Sequence, residues 1–346
     1  MPLTLRQQSI LKVLTTKPLS TTGLINEISR IGFEISEDTL QRELKQLLAF
    51  NFVNSSGSGP SRLHDLTTLG RLHVVYSDQD IDAWFNNNDR AAVRYRLDIA
   101  VAISNYLAQD LFNNATQSIV AKYRQFVASL DKDTLRRWQQ KWLIEFAWKS
   151  SAIEGNSYSE LETETLLLDK IEAGGKSHNE AVMIVNHQTA YDFIRANKAS
   201  FKQITLEQVL KIHELLAKDL DVSFGIRKSP VRISGSKYIP LAHQQQLKDN
   251  LEKIIYAINQ INEPLNKALS SVLLIAYLQP FIDGNKRTSR VLANGILESY
   301  NYPPLTFGNI EPTNYRRACI AFYELTDIRP MVRIITDSYK NIGEFD

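Results

Sequence analysis

The chain has 346 residues, 43% of them hydrophobic and 23% charged, with a formal net charge of +2. That length supports a sizeable core and two or three soluble, globular domains, and the near-neutral balance excludes wholesale coating of nucleic acid while leaving room for a local basic face. Cys319 is the single cysteine, which excludes intramolecular disulfides and thiolate zinc clusters, and the longest apolar run, Ala268 to Leu278, is shorter than the roughly 20 residues that span a bilayer.

In chain order, residues 1–76 read as one unit. Met1 to Arg6 lead straight into an amphipathic pattern, so no secretory leader is expected and a cytoplasmic location follows. Leu5, Ile10, Leu11, Val13 and Leu14 predict a first helix, ended near Pro18. Ser20 caps a second helix carrying Leu24, Ile25 and Ile28, which Gly32 breaks; Ser36 caps a third with Leu40, Leu44, Leu47 and Leu48 at helical spacing. Phe52-Val53, the turn from Ser55 to Ser61, and Leu63 to Leu66 predict a short hairpin. Three helices followed by a hairpin resemble a winged helix-turn-helix. That resemblance implies a third helix docked in the DNA major groove, with Gln41, Arg42 and Lys45 as contact candidates. Glu37, Asp38 and Glu43 dilute the charge, which leaves protein contacts or dimerisation as the competing use of the same fold.

Ser77 to Asp89, with its Asn run and scattered acids, reads as the next boundary, so residues 77–125 are expected to hold linker helices and 126–200 a further helical region. Leu97, Val101, Ile103 and Leu107 mark one helix. Leu135, Trp138, Trp142, Phe146 and Ile153 mark a longer one, its aromatic groups turned inward. The longer helix ends at Ser150-Ser151-Ala152-Ile153-Glu154-Gly155-Asn156, with Gly155 and Asn156 as natural terminators. Ser150 and Glu154 share a face. A carboxylate in the last turn opposes the helix dipole, so Glu154 calls for a cationic partner.

Residues 201–346 form the expected core. Thr205 opens a helix carrying Val209, Leu210, Ile212, Leu215 and Leu216, on which His213 reads as structural. No histidine or cysteine set with metal-ligand spacing accompanies it. Between Gly225 and Pro240 the pattern alternates, with Val231 and Ile233 before the Ser234-Gly235-Ser236 turn and Tyr238 and Ile239 after it, which predicts a β-hairpin. Pro264 opens an apolar helix. It runs into Leu278-Gln279-Pro280-Phe281-Ile282-Asp283-Gly284-Asn285-Lys286-Arg287-Thr288-Ser289-Arg290, a stretch suited to phosphate. Pro280 stops the incoming helix and Gly284 permits a left-handed turn. The next helix then offers unpaired N–H groups from about Gly284 to Arg287, while Arg287 and Arg290 lie three apart on one face. Asp283 supplies a hard oxygen suited to Mg2+ beside those phosphates.

This stretch resembles the signature of the Fic (Fido) family, His-x-Phe-x-Asp/Glu-Gly-Asn-Gly-Arg-x-x-Arg, whose members commonly transfer AMP from ATP to a protein hydroxyl. Gln279 stands where the family has its catalytic histidine, and Lys286 where many members have a second glycine. The resemblance implies a mainly α Fic-type bundle with a small β-hairpin flap, preceded by the winged helix-turn-helix. It also implies Gln279, Asp283, Asn285 and Arg287 at the catalytic positions, and Gly284, Asn285, Lys286, Arg287 and Arg290 around the nucleotide. Ile233, Ser234 and Gly235 of the flap approach that nucleotide, Asn314 and Tyr315 lie near the adenine, and Asp283 holds Mg2+. Ser150, Glu154 and Gly155 resemble the family's inhibitory motif Ser/Thr-x-x-x-Glu-Gly/Asn, whose glutamate takes the second motif arginine, Arg290 here, and excludes the ATP γ-phosphate. The expected partners are ATP and a protein carrying a Ser, Thr or Tyr hydroxyl, with DNA and a homo-oligomer as further options and no membrane. Gln279 leaves three functions open: an autoinhibited protein adenylyltransferase; a catalytically weak or inactive nucleotide-binding protein acting as a winged-helix DNA-binding regulator; or, as the resemblance also implies, removal of AMP from a modified protein by water that Glu154 activates.

Overall fold

A computed structural model describes residues 3–108, 111–112, 114–308 and 310–340; the ends of the first and last predicted units, residues 1–2 and 341–346, lie outside them. The chain is mainly helical with few strands. Its first helix, Leu5–Val13, starts at a reciprocal cap in which Thr4 accepts from the Gln7 N–H and Gln7 answers from its side chain. Ser20 and Ser36 cap Thr21–Arg30 and Glu37–Ala49 in the same way, accepting from the N–H groups of Gly23 and Thr39. Strands Leu19–Ser20, Val53–Ser56 and Leu63–Leu66 form an antiparallel sheet with Leu63–Leu66 in the middle, where Val53 faces Leu66 and Leu19 faces His64. These elements close over an apolar cluster of their own, including Ile10, Leu24, Leu40, Leu44, Leu47 and Val53. Glu43 is buried in this unit and accepts from Gln7 Nε2 at 3.0 Å, so it does not join the exposed acids of the third helix.

The stretch read as a boundary is a helix, Asp78–Asn86, started by a Ser77–Asp80 capping box. Its acids are paired with cations of other elements. Asp80 pairs with Lys12 at 2.8 Å, Asp78 with Arg333 at 2.9 Å, and Asp82 with Arg317. The helix that follows the boundary, Ile99–Tyr106, buries Ile99, Ala102 and Ile103, with Leu107 just beyond its end, and leaves Leu97 and Val101 exposed. Ile103 and Leu107 are thus buried as expected, whereas Val101 points to solvent, Leu97 lies exposed ahead of the helix, and small Ala100 and Ala102 sit in the contact.

The main core is built around two consecutive helices, Pro264–Leu278 and Asn285–Ser299, joined by the phosphate-suited loop. Every side chain from Leu265 to Leu278 is buried, including Lys267, whose ammonium donates to the Lys202 carbonyl at 2.6 Å. Around this pair pack Lys132–Ile153, His178–Ala196, Leu206–Ala217, Gln244–Asn259, Pro312–Leu325 and Arg329–Lys340. A helix buried on all sides fixes its ends firmly, so a loop between two such helices inherits a rigid frame.

The β-hairpin expected between Gly225 and Pro240 does not form as a ladder. Only Tyr238–Ile239 is extended into a strand, and it pairs in parallel with Val93–Arg94, with Val93 N donating to Lys237 O and Tyr95 N to Ile239 O, each at 3.1 Å. The turn itself is present, closed by Ser236 N donating to Ile233 O at 3.1 Å. Its first arm follows Pro230, which offers no N–H, and the second arm has spent its ladder groups on a partner some 145 residues earlier in the chain.

Candidate active site

The loop leaves Pro264–Leu278 at Gln279, which caps the helix in the left-handed region with φ 53° and ψ 55°. Its side chain folds back: Nε2 donates to Ala276 O at 2.6 Å, and Oε1 accepts from Asn285 Nδ2 at 3.1 Å. Asn285 closes the loop from the other end, accepting from the Phe281 N–H and donating to the Phe281 carbonyl, both at 2.9 Å. Gly284 holds φ 77° where the helix begins, a conformation that costs a side-chain-bearing residue about 1–2 kcal/mol. Phe281 stacks on His213, their ring centres 3.7 Å apart. His213 Nε2 donates to the Asp283 carbonyl and Nδ1 accepts from the Gly225 N–H. Burial holds that imidazole down at about 4, so it stays neutral and acts as a brace.

Arg287 and Arg290 lie almost entirely within the protein, their side chains 4% and 0% exposed. Arg287 Nη2 donates to Asp283 at 2.9 Å, and the Asp283 carboxylate is otherwise open to solvent. Arg290 Nε donates to Ser150 Oγ, Nη2 donates to both Ser150 O and Glu154 Oε1, and its guanidinium lies 5.1 Å from the centre of the Tyr315 ring. Arg287 Nη1 and Arg290 Nη1 are buried without a hydrogen-bond partner among the described residues, as is the hydroxyl of Tyr315, whose ring faces Arg290. A buried charged donor left unpaired is costly, and it marks a place where an acceptor oxygen belongs.

Glu154 ends the helix Lys132–Ile153, and Gly155 turns the chain at φ 100°. The carboxylate bridges two cations, with Oε1 on Arg290 at 2.9 Å and Oε2 on Lys286 at 2.6 Å. Burial opposes its charge, but Arg290 and Lys286 outweigh burial and hold the carboxyl down at about 2. Behind it, Ser150 Oγ meets His187 Nε2 at 2.8 Å while His187 Nδ1 donates to the Met183 carbonyl. That carbonyl fixes the tautomer, and burial pushes His187 down to about 3, so a neutral Nε2 accepts the Ser150 hydroxyl and leaves its oxygen for Arg290.

The structure thus brings together Gln279, Asp283, Gly284, Asn285, Lys286, Arg287 and Arg290 with Ser150, Glu154 and Gly155. Ile233 is half-buried against the main core, and Ser234 and Gly235 are exposed on the turn. Gln41, Arg42 and Lys45 are exposed on the third helix, on the separate N-terminal cluster. Tyr315 is fully buried and faces Arg290, so it is not open to an adenine ring, whereas Asn314 is exposed. Two residues escaped the sequence reading. Lys286 was assigned to nucleotide alone, yet it is the second cation on Glu154. Arg227 is 4% exposed and stitches the 225–241 segment to the loop, donating to the carbonyls of Gln279 at 2.7 Å, Ser229 at 2.7 Å and Leu241. An arginine two residues after Gly225 in an irregular stretch carries no signal of such a role.

Among the described residues no group of three or more His, Cys, Asp and Glu is arranged to hold a metal ion, and no helix is long and apolar enough to cross a membrane. Asp283, a single open carboxylate beside anion donors, suits an ion whose other ligands are phosphate oxygens and water.

Residues 203–297 match the profile of the Fic/DOC family. A protein from Drosophila persimilis named protein adenylyltransferase Fic is 28% identical over 239 residues, covering 67% of this chain and 46% of its own length. The protein of the same name from Drosophila grimshawi is 31% identical over 212 residues, covering 59% of this chain and 42% of its own. This chain therefore spans about half the length of the curated relatives it matches. Among solved structures, Fic-1 from C. elegans superposes with a TM-score of 0.56 at 20% identity, over 71% of this chain and 81% of that one, a likeness of fold.

Proposed function

We propose that this chain, whose residues 203–297 match the Fic/DOC family profile, binds ATP at the 279–290 loop as a protein adenylyltransferase held shut by Glu154. The observation that carries this reading is the pair of buried, unpartnered guanidinium nitrogens, Arg287 Nη1 and Arg290 Nη1, in the first turns of a helix whose N-terminus is formed by Gly284. Two fixed positive donors and free backbone N–H groups suit a polyphosphate, because the charge is already desolvated and needs no reorganisation. Mg2+ bound at Asp283 would neutralise phosphate charge.

In the transfer, the target hydroxyl oxygen forms a bond to the α-phosphorus, the bond to the β-phosphate oxygen breaks, and pyrophosphate leaves. The hydroxyl proton must go to a base. Gln279 cannot take it, and its amide is already engaged by Ala276 O and Asn285, which limits it to orienting a hydroxyl through the remaining lone pair of Oε1. The loss of a general base costs about 100- to 10,000-fold in rate, while positioning and charge stabilisation persist. Tyrosine targets, being more acidic than serine or threonine, lose least. Glu154 occupies Arg290 and Lys286 in the manner of the family's inhibitory glutamate, competing with the terminal phosphate for both.

The tied-down Gln279 also favours the second reading, a nucleotide-binding protein without turnover whose N-terminal winged helix contacts DNA through Gln41, Arg42 and Lys45. Incubation with labelled ATP and Mg2+ separates the two. Glu154→Gly is expected to raise ATP affinity at least tenfold and to place label on protein, more so when combined with Gln279→His. Absence of label in the double variant, despite measurable ATP binding, would leave only the second reading.

A further inference from the structure

The 233–237 turn is closed locally by Ser236 N donating to Ile233 O, and groups distant in sequence tie it to the rest of the chain. Beside it, Tyr238 Oη donates to Tyr277 O in the Pro264–Leu278 helix at 2.7 Å, and Arg227 spans Gln279 O and Leu241 O. The turn itself hangs on Glu324, whose side chain is fully buried. Glu324 Oε1 accepts from Ser236 Oγ at 2.6 Å and from Lys237 N at 2.7 Å. Oε2 accepts from Arg90 Nε and from the Trp84 indole N–H, both at 2.8 Å. Arg90 then reaches past the carboxylate and donates from Nη2 to Gly235 O at 2.9 Å.

We propose that Glu324 and Arg90 are positioning residues for the candidate nucleotide site: a buried ion pair from outside the matched residues that fixes the turn carrying Ile233, Ser234 and Gly235. Four donors on two carboxylate oxygens leave the acid little freedom, and a buried, fully hydrogen-bonded pair defines geometry more than it adds stability. Both halves of the clamp lie beyond residues 203–297, Arg90 before them and Glu324 after. Trp84 adds a consequence. It belongs to the Asp78–Asn86 helix, whose Asp80 is paired with Lys12 of the first helix, so the N-terminal unit and the turn share one anchor. The role assigned to the turn rests on the ATP reading above; the clamp does not.

The test uses the full chain and two measurements, hydrogen–deuterium exchange and binding of labelled ATP with Mg2+ in the Glu154→Gly background. Arg90→Met and the milder Ser236→Ala are expected to speed exchange across 233–237 at least tenfold and to weaken ATP binding about tenfold, with thermal midpoints within a few degrees of the parent for Ser236→Ala. Ser236→Thr, which restores the hydroxyl, is expected to recover both. If folded Ser236→Ala and Arg90→Met exchange like the parent across the turn, or if a loosened turn binds ATP as tightly as before, the proposal is overturned. Faster turn exchange in a protein that binds no ATP in any variant upholds the clamp and overturns the nucleotide reading instead.

Discussion

Glu154 is a residue whose meaning is electrostatic. Its carboxyl, held at about 2 against an ordinary 4.5, is depressed by folding, so it contributes stability that is complete above about pH 4.5 and is lost as pH falls through about 2. Urea unfolding of the native chain beside Glu154→Gln is therefore expected to differ most above pH 4.5, with the difference closing toward pH 2. Between pH 6 and 8 the difference should be flat. Glu154 therefore stays charged near neutrality, and protonation does not break its pairs with Arg290 and Lys286 there. The need for a cation beside Glu154 followed from its place in a last helical turn. That two cations share it did not follow, because Lys286 stands 132 residues away and only packing decides which of its three donors meets which oxygen.

At the scale of elements, periodicity was informative where a helix has one buried face and less so elsewhere. Pro264–Leu278 reads as apolar throughout and is buried throughout. Leu273, 1% exposed near its middle, has neighbours on every side that cannot collapse into a void. Leu273→Ala is expected to cost about 2–5 kcal/mol, measured as the shift in urea midpoint at unchanged slope. The 225–240 segment went the other way. Alternation there marked which side chains point together, but a strand's partner is a matter of position in space, and the partner is Val93–Arg94. Likewise, the helix Ile99–Tyr106 buries Ile103 as the spacing suggests but turns Val101 outward, and Leu97 falls before its first residue.

For the whole molecule, the N-terminal unit and the main core meet through mixed contacts, and Leu72 of the helix Thr68–Leu72 is buried in the main core. Lys12 pairs with Asp80, and His73 lies between Phe52 and Tyr106, with ring centres 4.1 and 4.7 Å apart. The exposed charge on its third helix is modest, two cations in Arg42 and Lys45 beside exposed Glu37 and Asp38. If this helix binds DNA, each cation on a phosphate contributes about −0.9 to the slope of log K against log salt, so the pair gives roughly −2. Titration of duplex DNA at several salt concentrations checks this, with Arg42→Ala and Lys45→Ala each expected to reduce the slope by about one. An affinity indifferent to salt, or no binding, removes the regulator reading.

Composition, caps and periodicity were enough to give a mainly helical chain, because helix stops, caps and apolar spacing are local physics written in consecutive residues, and the resemblance of Leu278 to Arg290 to a family signature pointed to the profile that residues 203–297 match. Tertiary structure alone decided that Lys286 joins Arg290 on Glu154, that His187 orients Ser150, that Arg227 braces the loop, and that Glu324 and Arg90 hold the turn. Each of these is a buried polar contact between groups far apart in sequence, and burial makes the pairing obligatory while sequence leaves the partner unspecified.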